Sequence, residues 1–193
     1  MRSHPLRLTV SIAVLALLTV ALPAAALVPI SQCGEVVPPG KTALLVADLD
    51  CRDSGTEGVV LSHRSRLLLA GHQLLGDPLA ENDDGAPLQG VRCKTGTVCR
   101  VEGPGSIVGF SGSGVAGTRV RLADVVIMDN GRAGVSAFEN VRLHDVVVTD
   151  NATVGVRAGG RVRAGTSEIT EHPEAEVVEW RSPQQRPHGA HAN

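Results

Sequence analysis

The chain has 193 residues, 42% hydrophobic but only 2% aromatic, with a formal net charge of −2. Mild acidity, with no Lys/Arg block and no aromatics interleaved among basic residues, argues against a general nucleic-acid-binding role. Two Phe, one Trp and no Tyr leave a core to be built from Val, Leu, Ile and Ala, which suits a narrow repetitive column better than a globule anchored on large rings.

In chain order, the first expected element is a secretory signal over residues 1–26. Arg2 and Arg7 form a positive n-region, Leu8 to Leu22 a mostly apolar run, and Pro23-Ala24-Ala25-Ala26 an A-x-A-like cleavage site. The run is shorter than the roughly 20 residues that span a bilayer, so no membrane span is expected after cleavage. Removal of 26 residues leaves 167, enough for one domain, with 16 basic against 20 acidic residues. The expected location is therefore secreted or extracytoplasmic. Four cysteines remain, Cys33, Cys51, Cys93 and Cys99. An even number in an exported chain favours disulfides over a metal site, and no C-x2-C spacing is present. Of the three pairings, Cys33–Cys51 and Cys93–Cys99 close the shortest loops.

Residues 27–57 read as an N-terminal cap. Pro38-Pro39-Gly40 marks a turn. Ala43, Leu45, Ala47, Leu49 and Cys51 then share one face of an alternating strand, with Asp48 and Asp50 opposite. From 58 to 172 a phrase returns. Gly-Val pairs stand at Gly58-Val59, Gly90-Val91, Gly114-Val115, Gly134-Val135 and Gly155-Val156, at spacings of 32, 24, 20 and 21 residues. The longest interval holds an acidic insertion, residues 77–89, which reads as a solvated loop. Within the repeats, Leu67/Leu69, Val120/Leu122 and Val141/Leu143 align as one inward pair, and Leu74, Ile107, Ile127 and Val148 as another inward position. Asp129-Asn130 and Asp150-Asn151 punctuate corners, where positive φ is tolerated. A fixed period of this length means one small unit stacked on its neighbours. Three short strands per turn describe an all-β solenoid of about five coils. Residues 173–193 read as a C-terminal cap, in which 177–180 cover the last coil, followed by a Pro/Gln/His-rich tail.

The Gly-Val restarts, the rung from Val101 to Ile107 with Gly109-Phe110, the Asp-Asn corners, and the opening Cys33-Gly34 with residues 48–51 resemble the right-handed parallel β-helix proteins, the pectate-lyase-like group. The resemblance covers roughly residues 33–172. It implies a right-handed coil, in agreement with the general rule for parallel crossovers. It also implies an exported protein whose activity is open, since the group includes polysaccharide lyases, hydrolases, epimerases and adhesins.

Several side chains could carry chemistry. Arg121, Arg142 and Arg163 recur between inward-facing residues and should form an outward column able to grip the carboxylates of an acidic polysaccharide. Stacked like charges call for partners such as Asp124 or Asp145. Asp124, Arg142, His144 and Asp145 are the candidate catalytic set under a lyase reading, in which calcium would be the cofactor. Calcium takes six to eight oxygens, and two stacked Asp fall short. Asn130 and Asn151 are expected to form a structural ladder, with Phe110 and His172 at the same corner; Asn151-Ala152-Thr153 also matches a glycosylation sequon. No metal or other cofactor site is expected, and a monomer is. The favoured reading is a non-catalytic exported surface or matrix protein that binds glycans along an outer sheet. The alternative is a lyase or hydrolase of acidic polysaccharides.

Overall fold

A computed structural model describes residues 27–179. The expected signal segment 1–26, Trp180 and the tail lie outside them. Twenty short strands form three parallel sheets, two of seven strands and one of six. The chain visits them in rotation. Strand Val115–Gly117 belongs to sheet B, Arg119–Ala123 to sheet A, Val126–Met128 to sheet C, and Val135–Ala137 to sheet B again, now paired with Val115–Gly117. The molecule is thus a parallel β-solenoid. Among the described residues no helix is long and apolar enough to cross a membrane.

Alternation explains the strands. In Arg119–Ala123 the pattern runs exposed, buried, exposed, buried, as a strand with one face inward requires. Inward residues stack in columns about 4.8 Å apart. In sheet C, Leu49, Leu74, Ile107, Ile127, Val148 and Ile169 follow one another in register. In sheet B, Val59, Val91, Val115, Val135 and Val156 do the same. Val120 faces Val141 in sheet A. Nearly all of these side chains are fully buried, and together they form one continuous aliphatic core.

The coil count is about seven, not five. The valine column of sheet B extends to Glu35 before Val59 and to Val177 after Val156. Neither end carries the Gly-Val phrase, so neither was visible as a repeat. Residues 27–57 thereby contribute strands to all three sheets. The alternating stretch from Ala43 to Cys51 is two strands rather than one. Thr42–Leu45 lies in sheet A and Leu49–Asp50 in sheet C, with an exposed Ala47 at the corner between them. One inward alignment also shifts. Leu67 stacks on Val101 and then Leu122, rather than on Val120. Val101 belongs to the strand Val98–Glu102, whose Cys99 occupies the Val120 column.

The restart glycines are explained by crowding. Gly58, Gly90, Gly114, Gly134 and Gly155 do not have positive φ. A Cβ on Gly134 would lie 2.9 Å from the Gly155 carbonyl oxygen and 2.8 Å from the Asn151 amide nitrogen. The corner where Asn side chains enter the core has no room for a methyl group.

Both disulfides form as paired from their spacing, Cys33–Cys51 and Cys93–Cys99. The second sits inside the column. Gly117, next in line after Cys93, would place a Cβ 3.1 Å from Cys93 Cβ and 3.3 Å from Cys99 Cβ, so a glycine accommodates the bridge.

Candidate functional site

The outer face of sheet A carries the principal site. Arg100, Arg121, Arg142 and Arg163 pair in register, coil upon coil, all exposed. The register Leu67↔Val101 places Arg66 one position earlier, beside Arg100. Five arginines therefore form a column about 19 Å long. Alternation sets their direction: Arg100 lies between inward Cys99 and Val101, Arg121 between Val120 and Leu122, and Arg142 between Val141 and Leu143. Arg119 and Arg161 flank the column, and with Arg121, Arg142, Arg163 and Glu179 they line a concavity of about 500 Å3.

Partners decide what these charges can do. Arg66 binds Glu102 at 3.2 Å and Arg119 binds Glu139 at 3.3 Å. Among the described residues no carboxylate pairs with Arg100, Arg121, Arg142, Arg161 or Arg163. Glu179 accepts the backbone N–H of Val162 at 2.8 Å. The counter-charges expected from Asp124 and Asp145 are not supplied. Both sit in left-handed corners, at φ of 57° and 53°, turned off the sheet by the bend that ends each strand. Neighbouring guanidinium groups at the coil spacing repel by about 1 kcal/mol in water. An anionic ligand would relieve that repulsion.

Arg100 and Arg66 escaped the sequence reading, which began a rung at Val101 and so left Cys99-Arg100-Val101 out of the alignment. The signal was there. Residues 100, 121, 142 and 163 are spaced by 21.

Of the catalytic candidates Asp124, Arg142, His144 and Asp145, side-chain contact joins His144 and Asp145. His144 Nε2 lies 3.2 Å from Asp145 Oδ2, with both side chains more than half exposed. Thr166 Oγ1 donates to the other carboxylate oxygen of Asp145. The carboxylate stands between hydroxyl and imidazole. In a nucleophile-activating triad the imidazole stands in the middle. Asp124 and Asp145 occupy successive coils; in the next coil Thr166 stands in register with Asp145, and the left-handed corner falls one residue earlier, at Gly165 with φ 50°. What these three corners share is a left-handed residue, a conformation that Asp and Gly both accept. Among the described residues no three His, Cys, Asp or Glu side chains converge. Two Asp cannot furnish the six to eight oxygens calcium takes, so the residues do not fit a calcium site.

Asn130 and Asn151 are buried, at 1% and 0% exposure, and every polar atom of each is engaged. Asn130 Oδ1 accepts from the Phe110 N–H at 3.0 Å. Its Nδ2 donates to the Met128 carbonyl at 3.0 Å and to Asn151 Oδ1 at 2.8 Å. Asn151 Nδ2 donates to the Thr149 carbonyl at 2.8 Å. One coil on, His172 Nδ1 accepts from the Asn151 N–H at 3.2 Å, and Nε2 lies 3.2 Å from the Val148 carbonyl. With its amide committed and no exposed surface, Asn151 offers the sequon nothing to modify. At the other end of the corner column Phe110 replaces Asn. Its ring lies where a Cβ on Gly76 would be, 2.6 Å away, and 3.0 Å from one on Gly58 or Gly90.

The acidic insertion closes on itself. Asn82 Oδ1 accepts from the N–H groups of Asp84 and Ala86, Asp77 Oδ1 accepts from Leu79 N–H, and Leu88 anchors the far end in the core. At its exit, mostly buried Glu57 takes the Gln89 N–H at 2.6 Å and Arg92 Nε at 2.7 Å. Burial outweighs these bonds and pushes the Glu57 carboxyl above the ordinary carboxylate range. Exposed Asp50 goes the other way, to about 2, because Arg52 binds it through side chain and backbone.

Comparison of the chain with protein-family models, with curated proteins and with solved structures gives no match.

Proposed function

We propose that this protein is an exported, non-catalytic β-solenoid of the pectate-lyase-like group, acting at the cell surface or in the extracellular matrix. It binds an acidic polysaccharide along the outer face of sheet A. One observation carries the reading. Arg100, Arg121, Arg142 and Arg163 stack in register without carboxylate partners among the described residues. A guanidinium fork takes a carboxylate through two parallel hydrogen bonds. Repetition at the coil spacing suits an extended polymer that presents anionic groups at regular intervals. Two disulfides, which persist in oxidising compartments, support export, together with the N-terminal pattern of residues 1–26.

The test is isothermal titration of the mature chain with oligogalacturonate and with neutral oligogalactose. Binding confined to the charged oligomer, weakening as salt rises and lost in the Arg121→Gln/Arg142→Gln/Arg163→Gln variant, is the expected result. Equal binding by that variant overturns the assignment. The same mixture with calcium, followed for absorbance from new unsaturated ends, tests the lyase alternative. Ends that form with the parent chain and not with Arg142→Ala would replace the binding reading with an enzymatic one.

A further inference from the structure

A second concavity, of about 420 Å3, lies on the outer face of sheet B. Its origin is one column. Arg92, Ala116, Ser136 and Arg157 follow one another in register. Two small side chains between two long ones make a notch two coils high. Phe138 stands at one wall, directly after strand Val135–Ala137, and Arg132, Arg157 and Gln89 at the others.

Two features meet in this notch. Phe138 is 69% exposed, whereas Phe110 is buried at 1%. The wall arginines are free. Arg92 is committed to Glu57, but among the described residues no carboxylate pairs with Arg132 or Arg157. Gln89 is already spent, its Oε1 taking the Ser113 N–H and its Nε2 donating to the Pro87 carbonyl. The notch therefore offers an aromatic face, a floor of small residues and two available guanidinium groups, on a different sheet from the arginine column.

We propose that this notch binds a single uronic acid residue. The apolar C–H face of the sugar ring packs on Phe138, since an exposed ring gains by covering its face. The carboxylate meets Arg157 or Arg132 through a charge-assisted pair. Ala116 and Ser136 leave the space the ring occupies. The proposal goes beyond the column on sheet A and stands independently of it.

The experiment is an 1H–15N correlation titration of the full chain with sodium galacturonate, and in parallel with galactose. The expected result is shifts at the amides of Ala116, Ser136, Phe138 and Arg157. Phe138→Ala weakens both sugars by about fivefold. Arg157→Gln weakens galacturonate only. The exposure of both side chains leaves the remaining spectrum intact, which checks the fold in the same measurement. The triple variant of Arg121, Arg142 and Arg163 leaves these shifts in place, so failure of the sheet A reading and failure of this one are told apart. Shifts confined to the sheet A face, absence of shifts at the notch, or a titration that Phe138→Ala leaves unchanged would each overturn the proposal.

Discussion

The two halves of the solenoid use arginine in opposite ways. Of five arginines between residues 27 and 110, three hold carboxylates: Arg52 with Asp50, Arg66 with Glu102, and Arg92 with Glu57. Of seven between residues 111 and 179, among the described residues only Arg119 does. The interior columns of the two halves are alike, aliphatic and buried, so packing does not account for the difference. The first half is irregular. It has a 32-residue interval, an insertion, both disulfides and a phenylalanine at its corner, and its ion pairs form within a turn (Arg52–Asp50), between neighbouring strands of sheet A (Arg66–Glu102) and from a strand to a corner (Arg92–Glu57). The second half repeats at 20 to 21 residues and is tied together by the Asn130–Asn151–His172 ladder. Its strict register puts arginine over arginine, away from the acids at the corners. Regularity itself leaves those charges free for a ligand.

Breaking the ladder should have the largest effect. Asn151→Ala deletes the acceptor for the Asn130 N–H and Nδ2 and leaves buried polar groups without partners. A loss of about 3–5 kcal/mol is expected, seen as a lower urea midpoint. His172→Asn, which extends the asparagine run, should cost far less than His172→Ala. In the other half, replacing Cys33 and Cys51 by Ser opens a loop of sequence separation 18 and should cost about 3 kcal/mol, measured by thermal unfolding of the variant against the parent.

The arginine contrast is tested by a matched pair. Arg92→Gln strands a mostly buried Glu57 charge and should lower stability by about 1–2 kcal/mol with no change in oligogalacturonate binding. Arg142→Gln should do the reverse. It loses roughly tenfold in affinity, while stability changes by less than about 1 kcal/mol because removing one stacked charge relieves repulsion. Equal behaviour of the two would erase the distinction between the halves.

The smallest effect is a pH dependence. Glu57 titrates above its ordinary range in the folded chain, so the native state holds this proton more tightly than the unfolded one. Its contribution to stability is full below the ordinary carboxylate range and is lost as pH rises through the raised value. Urea midpoints measured across weakly acidic pH should fall less steeply with rising pH in Glu57→Gln than in the parent. An identical slope in both would show that Glu57 does not carry the effect.

Much of this architecture is legible in the amino-acid order because parallel stacking is a local rule applied repeatedly. Val115, Val135 and Val156 occupy equivalent places in successive phrases, and equivalent places are vertical neighbours in space. The same logic identified Arg121, Arg142 and Arg163, and it would have included Arg100 had the rung been started at Cys99. The missing coils had no phrase to read. Glu35 and Val177 take their places by pairing with Val59 and Val156, although Gly34-Glu35 lacks the valine of the phrase and Val177 follows Glu176 rather than a glycine.

By itself the sequence determined the period, the aliphatic columns, the asparagine corner and the outward course of the arginines, since each depends only on alternation and repeat length. Tertiary structure alone decided which charges are partnered, that Asp124 and Asp145 turn away from the column, and that Ala116 and Ser136 open a notch beside Phe138. Those outcomes depend on lateral neighbours across bends of unequal length. Such distances follow from how the corners fold, which the repeat does not encode.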